Sequence, residues 1–172
     1  MDGGCGAGRN QSIMISYAIL PSPVGDVLIV GGESGLTLIN FQDGPHPMAP
    51  RKEWKKDGSG LEPAVQQFRA YFHGRFSRFR LKLALGGTAF QQQVWLALQK
   101  IPYGETVSYG EIAKRINRPQ AGRAVGAANG RNPLSIVIPC HRVIGTKGDL
   151  VGYGGGIHIK KALLDLERRY TS

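Results

Sequence analysis

Cys140 and His141 stand side by side in the run Pro139-Cys140-His141-Arg142-Val143. A thiol next to an imidazole and a guanidinium has neighbours that favour thiolate, the nucleophilic form of sulfur. The bland alternative is a small buried hydrophobe. Adjacency is also awkward geometry, because neighbours on an extended strand point to opposite faces. The pair can cooperate only if the chain turns at Pro139 or a water bridges the two side chains. The other cysteine, Cys5, lies in a glycine-rich stretch, and neither thiol has zinc-ligand company of the Cys-x-x-Cys or Cys/His kind. No structural disulfide is expected, and Cys140 is a lone thiol.

Other elements must hold that thiol in place. Ile136-Val137-Ile138 reads as a buried strand that delivers it. Upstream, Thr88 with Gln91 is a capping-box pattern, and Phe90, Val94, Trp95 and Leu98 form one apolar helix face that Pro102 ends. Ser108 with Glu111 repeats the box ahead of Ile112, Ala113 and Ile116. Asn117-Arg118-Pro119 breaks the chain, and residues 120–129 resume as a helix dense in Ala and Gly. Two short helices joined by a tight turn are the layout of a helix-turn-helix. Residues 145–149 read as a hairpin tip, consistent with a wing, and 152–156 as a glycine loop. The last helix carries Ile159, Leu163 and Leu166 on one side.

Gly86-Gly87 is the joint between this half and the one before it. Apolar runs at 13–20, 24–30 and 36–41, separated by turn residues, predict an antiparallel meander. Residues 43–60 read as a surface loop. Leu61, Ala64, Val65, Phe68 and Phe72 recur at helical spacing with Gly74 as the stop, and Phe79, Leu81 and Leu83 alternate as one further strand. The predicted organisation is a flexible leader (1–12) without the apolar core of an export signal, an α+β domain (13–86) and a second domain (87–172).

The formal net charge is +10. Residues 88–172 hold 12 Lys and Arg against 5 Asp and Glu, whereas 1–87 hold 10 against 7. A positive field concentrated in the C-terminal half favours a polyanion, of which nucleic acid is the commonest. No run of about 18 apolar residues exists to span a bilayer, so no membrane partner is expected. The expected location is the cytosol, or the nucleus in a eukaryote.

Ile138-Pro139-Cys140-His141-Arg142-Val143-Ile144 resembles the active-site signature of the O6-alkylguanine-DNA alkyltransferases, also called methylated-DNA–protein-cysteine methyltransferases. Arg123-Ala124-Val125-Gly126, Asn132-Pro133 and Gly152-Tyr153-Gly154-Gly155-Gly156 match in order and spacing, so the resemblance covers nearly all of 88–170. It implies a small N-terminal antiparallel-sheet plus helix domain, ribonuclease H-like, followed by a C-terminal winged helix-turn-helix. It also implies one irreversible alkyl transfer from O6 of guanine in duplex DNA, with O4-alkylthymine a possible second substrate, by a monomer without cofactor or metal.

By the same resemblance Cys140 is the acceptor. His141 is its base through a water, Glu167 orients His141, and Asn132 ties the nucleophile turn to the preceding helix. Tyr109 rotates the 3′ phosphate and helps protonate the leaving guanine. Arg123 fills the gap left by a flipped base, which otherwise costs a few kcal/mol of unstacking. Gly110, Arg118 and Thr146 occupy backbone-contacting positions. The Cys140 and Val143 carbonyls, Tyr153 and the Gly154 amide line the base pocket. Two features depart from the family. The N-terminal half has no cysteine beyond Cys5 for the zinc that some members hold there, and Gly122 stands where Ala is usual. The rival readings are a winged-helix regulator with a structural Cys140, a cysteine hydrolase, and a damage sensor that does not repair.

Overall fold

The computed structural model describes residues 14–75 and 77–171. The leader, Cys5 and Ile13 lie outside them. The N-terminal half is the expected meander: β1 (Ser16–Leu20), β2 (Val27–Gly32) and β3 (Gly35–Phe41) pair antiparallel in turn. β2 is buried along almost its whole length, so it reads as continuous Val, Leu and Ile rather than an alternation. The segment expected to be all loop contains β4 (Lys55–Lys56), which adds to the free edge of β1 in parallel. Two lysines carry no apolar signal, and the pairing rests on backbone bonds such as Lys55 N to the Ile15 carbonyl at 2.9 Å.

α1 (Gly58–Phe72) starts earlier than the apolar spacing implied, because Asp57 caps it by accepting from Ser59 N. Its buried face of Leu61, Ala64, Val65, Phe68, Tyr71 and Phe72 includes Tyr71, which the sequence reading left out. Gly74 terminates it with φ +67. Phe79, Leu81 and Leu83 do not form a strand. Only Leu83 makes a bridge, to Leu36, and the next stretch of the β3 edge is taken by a bridge from Ile39 to Leu134. One sheet edge thus anchors both the linker and the segment that leads to Cys140.

α2 (Ala89–Leu98) has its full capping box at Thr88 and Gln91, and it stops at Leu98, before Pro102. α3 (Tyr109–Arg115) has half of one. Ser108 accepts from Glu111 N, while the Glu111 carboxylate turns instead to Arg115. α4 (Gly122–Gly130) begins two residues later than expected, with no side-chain cap. The pair α3–α4 is the helix-turn-helix. α2 packs behind both, with Trp95 Nε1 donating to the Ala128 carbonyl at 2.9 Å.

Ile136-Val137-Ile138 is a tight turn, not a strand, with Ile136 at φ 74 and Ile138 N donating to the Leu134 carbonyl. The 145–149 turn forms, but its strand β6 (Val143–Ile144) pairs in parallel with β5 (Val107–Ser108) rather than with a returning hairpin strand. α5 (Ile157–Thr171) closes the molecule. It buries Ile159, Leu163 and Leu164 and also Lys160 and Glu167. Buried apolar side chains from both halves form one contiguous cluster. No helix among the described residues is long and apolar enough to cross a membrane.

Candidate active site

Cys140 opens a one-turn 3-10 helix (Cys140–Arg142), so the chain does turn at Pro139 and the extended-strand objection disappears. Asn132 holds the approach. Its Nδ2 donates to the Ile138 carbonyl at 2.8 Å and its Oδ1 accepts from Leu134 N at 2.9 Å. Asn129 Nδ2 reaches the Cys140 carbonyl at 3.4 Å.

The thiol is 3 % exposed. Burial raises its pKa, and interactions with Asn132, Ser135 and Lys160 only partly oppose this. The resting sulfur is therefore a thiol. The neighbours that favour thiolate in the sequence do not prevail, because Arg142 points away from it.

Arg142 instead clamps Glu167: Nε to Oε2 and Nη2 to Oε1, both at 2.9 Å, with Nη1 on the Ile101 carbonyl at 2.7 Å. Glu167 also accepts from His141 Nε2 and from Tyr71 Oη, each 2.7 Å from Oε1, and from Gly104 N at 3.1 Å. Burial alone would raise this carboxyl, but the bonds and charges of His141 and Arg142 outweigh it and hold Glu167 well below the usual carboxylate range. An ionised carboxylate only accepts, so His141 carries its proton on Nε2. Nδ1 is then the basic nitrogen. It is buried, with no hydrogen-bond partner among the described residues. Burial lowers the His141 pKa, with Arg142 and Lys160 adding to the effect against the pull of Glu167. The result is a neutral imidazole, oriented at one nitrogen and available at the other.

Tyr109 and Tyr153 both lie close enough to Cys140 for its charge to raise their phenol pKa values, after burial as the main cause. The Tyr109 hydroxyl donates to the Val151 carbonyl at 3.1 Å, and the Tyr153 hydroxyl is buried without a partner among the described residues. The Val143 carbonyl accepts from Lys160 Nζ at 2.6 Å, and the same ammonium reaches the Val151 carbonyl at 3.0 Å. Gly154 is exposed on the loop beside Tyr153.

Cys140, His141, Asn132, Glu167, Tyr109, Tyr153 and Val143 are thus brought together. Arg123, Gly110, Arg118 and Thr146 are not part of that cluster. They lie exposed on the helix-turn-helix and the 145–149 turn, with Arg118 over the Phe90 ring at 5.6 Å. A methyl on Gly122 would meet nothing within 4 Å, so nothing in the structure explains glycine there. Among the described residues no cluster of three His, Cys, Asp or Glu could hold a metal ion.

Sequence reasoning missed Tyr71, Lys160, Asn129 and the clamp role of Arg142. Helical spacing carried a signal for two of them. Lys160 falls three and seven residues before Leu163 and Glu167, on the buried face of α5. Tyr71 follows Phe68 by three.

Two family models match the chain in tandem. The 6-O-methylguanine DNA methyltransferase ribonuclease-like domain covers residues 15–85, and the 6-O-methylguanine DNA methyltransferase DNA binding domain covers residues 89–169. The methylated-DNA–protein-cysteine methyltransferase of Methanosarcina acetivorans is 50% identical over 151 residues, which is 88% of this chain and 97% of that protein. The crystal structure of Mycobacterium tuberculosis O6-methylguanine methyltransferase superposes with a TM-score of 0.84 at 49% identity, covering 91% of this chain and 94% of that one. A structure of the same organism's OGT in complex with DNA gives 0.83 at 49% identity over 90% and 94%. Identity at this level, over both domains and in one order, means that the chain belongs to the 6-O-methylguanine DNA methyltransferase family.

Proposed function

We propose that the protein repairs O6-alkylguanine in duplex DNA by moving the alkyl group onto Cys140, once per molecule, in the cytoplasm or the nucleus. The observation that carries this reading is the buried thiol followed at once by an imidazole whose Nε2 is tied to Glu167 and whose Nδ1 is unpartnered.

In this reading the thiol proton passes to His141 Nδ1 through a water. The sulfur attacks the alkyl carbon, the carbon–O6 bond breaks, and the departing guanine takes a proton from the Tyr109 hydroxyl. The product is a thioether, a poor leaving group, so the protein is consumed. Residues 87–172 form the DNA-binding and acceptor domain, and 13–86 the domain that backs it. Arg123, at the exposed start of α4, enters the stack in place of the flipped base, where an inserted side chain recovers part of the unstacking energy. Gly110, Arg118 and Thr146 lie along the backbone. Tyr153, the Gly154 amide and the Cys140 and Val143 carbonyls receive the base, each carbonyl using the lone pair left by Asn129 or Lys160.

The test is intact-mass measurement after incubation with an O6-methylguanine duplex. One methyl gained per molecule, lost in Cys140→Ser while duplex binding persists, is the expected result. A serine variant that still gains the methyl, or multiple turnovers without consumption of the protein, would overturn it.

A further inference from the structure

We infer that Tyr71, from the N-terminal domain, is a positioning residue of the acceptor site: its hydroxyl fixes the Glu167 carboxylate and so sets how readily His141 takes a proton. The inference rests on reading Cys140 as acceptor and His141 as its base.

Glu167 Oε1 receives three donors: Tyr71 Oη at 2.7 Å, His141 Nε2 at 2.7 Å and Arg142 Nη2 at 2.9 Å. The Tyr71 hydroxyl is 3.5 Å from His141 Nε2, too far to be a useful bond to it. Burial and the charge of Glu167 push phenol ionisation far up, so Tyr71 keeps its proton and donates it to the carboxylate, which only accepts. Its ring is held by Phe72, Phe79 and Tyr103 at centroid separations of 5.4, 5.6 and 6.0 Å, so the hydroxyl has one place to point.

Three donors share the charge on one oxygen. Removing the phenol leaves more of that charge to His141 and makes the imidazole more basic. A base already protonated cannot accept the thiol proton. The other charged or titratable groups facing the His141–Glu167 pair are Arg142 on the 3-10 turn, Lys160 on α5, Tyr103 after α2 and Tyr153 on the glycine loop. The two cations oppose His141 protonation, and neither phenol hydroxyl is bonded to Glu167 among the described residues. The sequence separation is 96 residues between Tyr71 and Glu167. The N-terminal domain therefore contributes a polar atom to the site as well as packing.

The experiment is single-turnover alkylation by the full-length protein against pH, for wild type, Tyr71→Phe and Tyr71→Leu, with thermal melts of each. Phe keeps the ring and loses only the hydroxyl. Its acid limb should move to higher pH by roughly half to one unit, the equivalent of one ordinary hydrogen bond. A purely structural role predicts instead that Tyr71→Phe overlays the wild type while Tyr71→Leu loses activity with stability, and that result overturns the inference. In the wild type, proton NMR should show a slowly exchanging Tyr71 hydroxyl with a nuclear Overhauser contact to the His141 ring. Its absence also overturns the inference, whether or not the Phe variant folds. A wild type that takes up no alkyl group sinks the acceptor reading itself, a distinct outcome.

Discussion

Asn132 bonds the Ile138 carbonyl at 2.8 Å across the turn that carries Ile136 at φ 74. A β-branched residue in the left-handed region is strained by about 1–3 kcal/mol, and it persists only where its surroundings hold it. Asn132 holds it through one bond on each side of its amide, beside the backbone bond from Ile138 N to the Leu134 carbonyl. Asn132→Ala should lower stability by roughly 1–3 kcal/mol, the effect of freeing buried backbone groups. It should also slow Cys140 alkylation, because the turn that aims the thiol relaxes. Urea midpoints and transfer rates measured together check this. Wild-type rates in the Ala variant would remove Asn132 from the site.

Lys160 is fully buried with its ammonium on the Val143 and Val151 carbonyls. It stitches the strand after the acceptor turn to the start of the glycine loop. Lys160→Met fills similar space and leaves both carbonyls without that donor. The expected loss is about 1–3 kcal/mol of stability, together with weaker reaction with free O6-benzylguanine, since the loop carrying Tyr153 is released. An unchanged melting temperature would show that water or backbone replaces the lysine.

Much of this was legible in the sequence, and the failures have physical causes. The capping box at Thr88, the apolar face of α2 and the helix pair of α3 and α4 follow from local spacing, which side-chain chemistry fixes within a few residues. Ile136-Val137-Ile138 misled because three consecutive β-branched residues read as strand, yet a side chain four residues upstream of Ile136 helps fold them into a turn. Phe79, Leu81 and Leu83 alternate, but the β3 edge they would join is already shared with the segment leading to the acceptor. Arg142 was taken as a neighbour of the thiol, whereas its partner lies 25 residues away on α5. Contacts of that range leave no local periodicity. Tyr71 sat at helical spacing from Phe68, but its bond to Glu167, 96 residues away, was hidden for the same reason.

Arg123 is exposed at the start of α4, outside the buried cluster. Arg123→Ala should therefore slow repair of a duplex far more than reaction with free O6-benzylguanine, because only the duplex requires a base to leave the stack. Rates on both substrates, compared within one preparation, decide the matter. Equal losses would point to a folding defect and remove the finger role.

Acid should unfold the protein through the Glu167 cluster. Its carboxyl titrates well below the ordinary 4.5 when folded, so the unfolded chain binds the proton first as pH falls. The stabilisation is complete above about 4.5 and is lost as pH drops through the lower folded value. His141, pushed below 6.5 mainly by burial, adds a loss of the same sign beginning higher. Urea midpoints should decline from about pH 6.5 and more steeply below about 4.5. Glu167→Gln should flatten the lower part, and parallel curves for the two proteins would refute the assignment.

The activation of Cys140 can be separated from its stability. Burial keeps the resting sulfur protonated, so reactivity at neutral pH depends on a base that takes the proton as the bond forms. That base needs its proton on Nε2 and its lone pair on Nδ1, which the Glu167 carboxylate enforces. Glutamine in its place can offer an amide donor to Nε2 and invert the tautomer, the failure known when the orienting group of a nucleophile–base set is amidated. Glu167→Gln should slow single-turnover transfer at neutral pH by roughly 10²-fold, and His141→Ala by at least as much, the range of a lost general base. At alkaline pH the thiol ionises unaided and both variants should recover, so the pH of half-maximal rate rises in each. Circular dichroism confirms that each variant is folded before its profile is read. If both are folded and their profiles overlay the wild type, the His141–Glu167 pair does not activate the sulfur. The thiolate would then owe its stability to Asn132, Ser135 and Lys160, the groups that already pull the Cys140 pKa down against its burial.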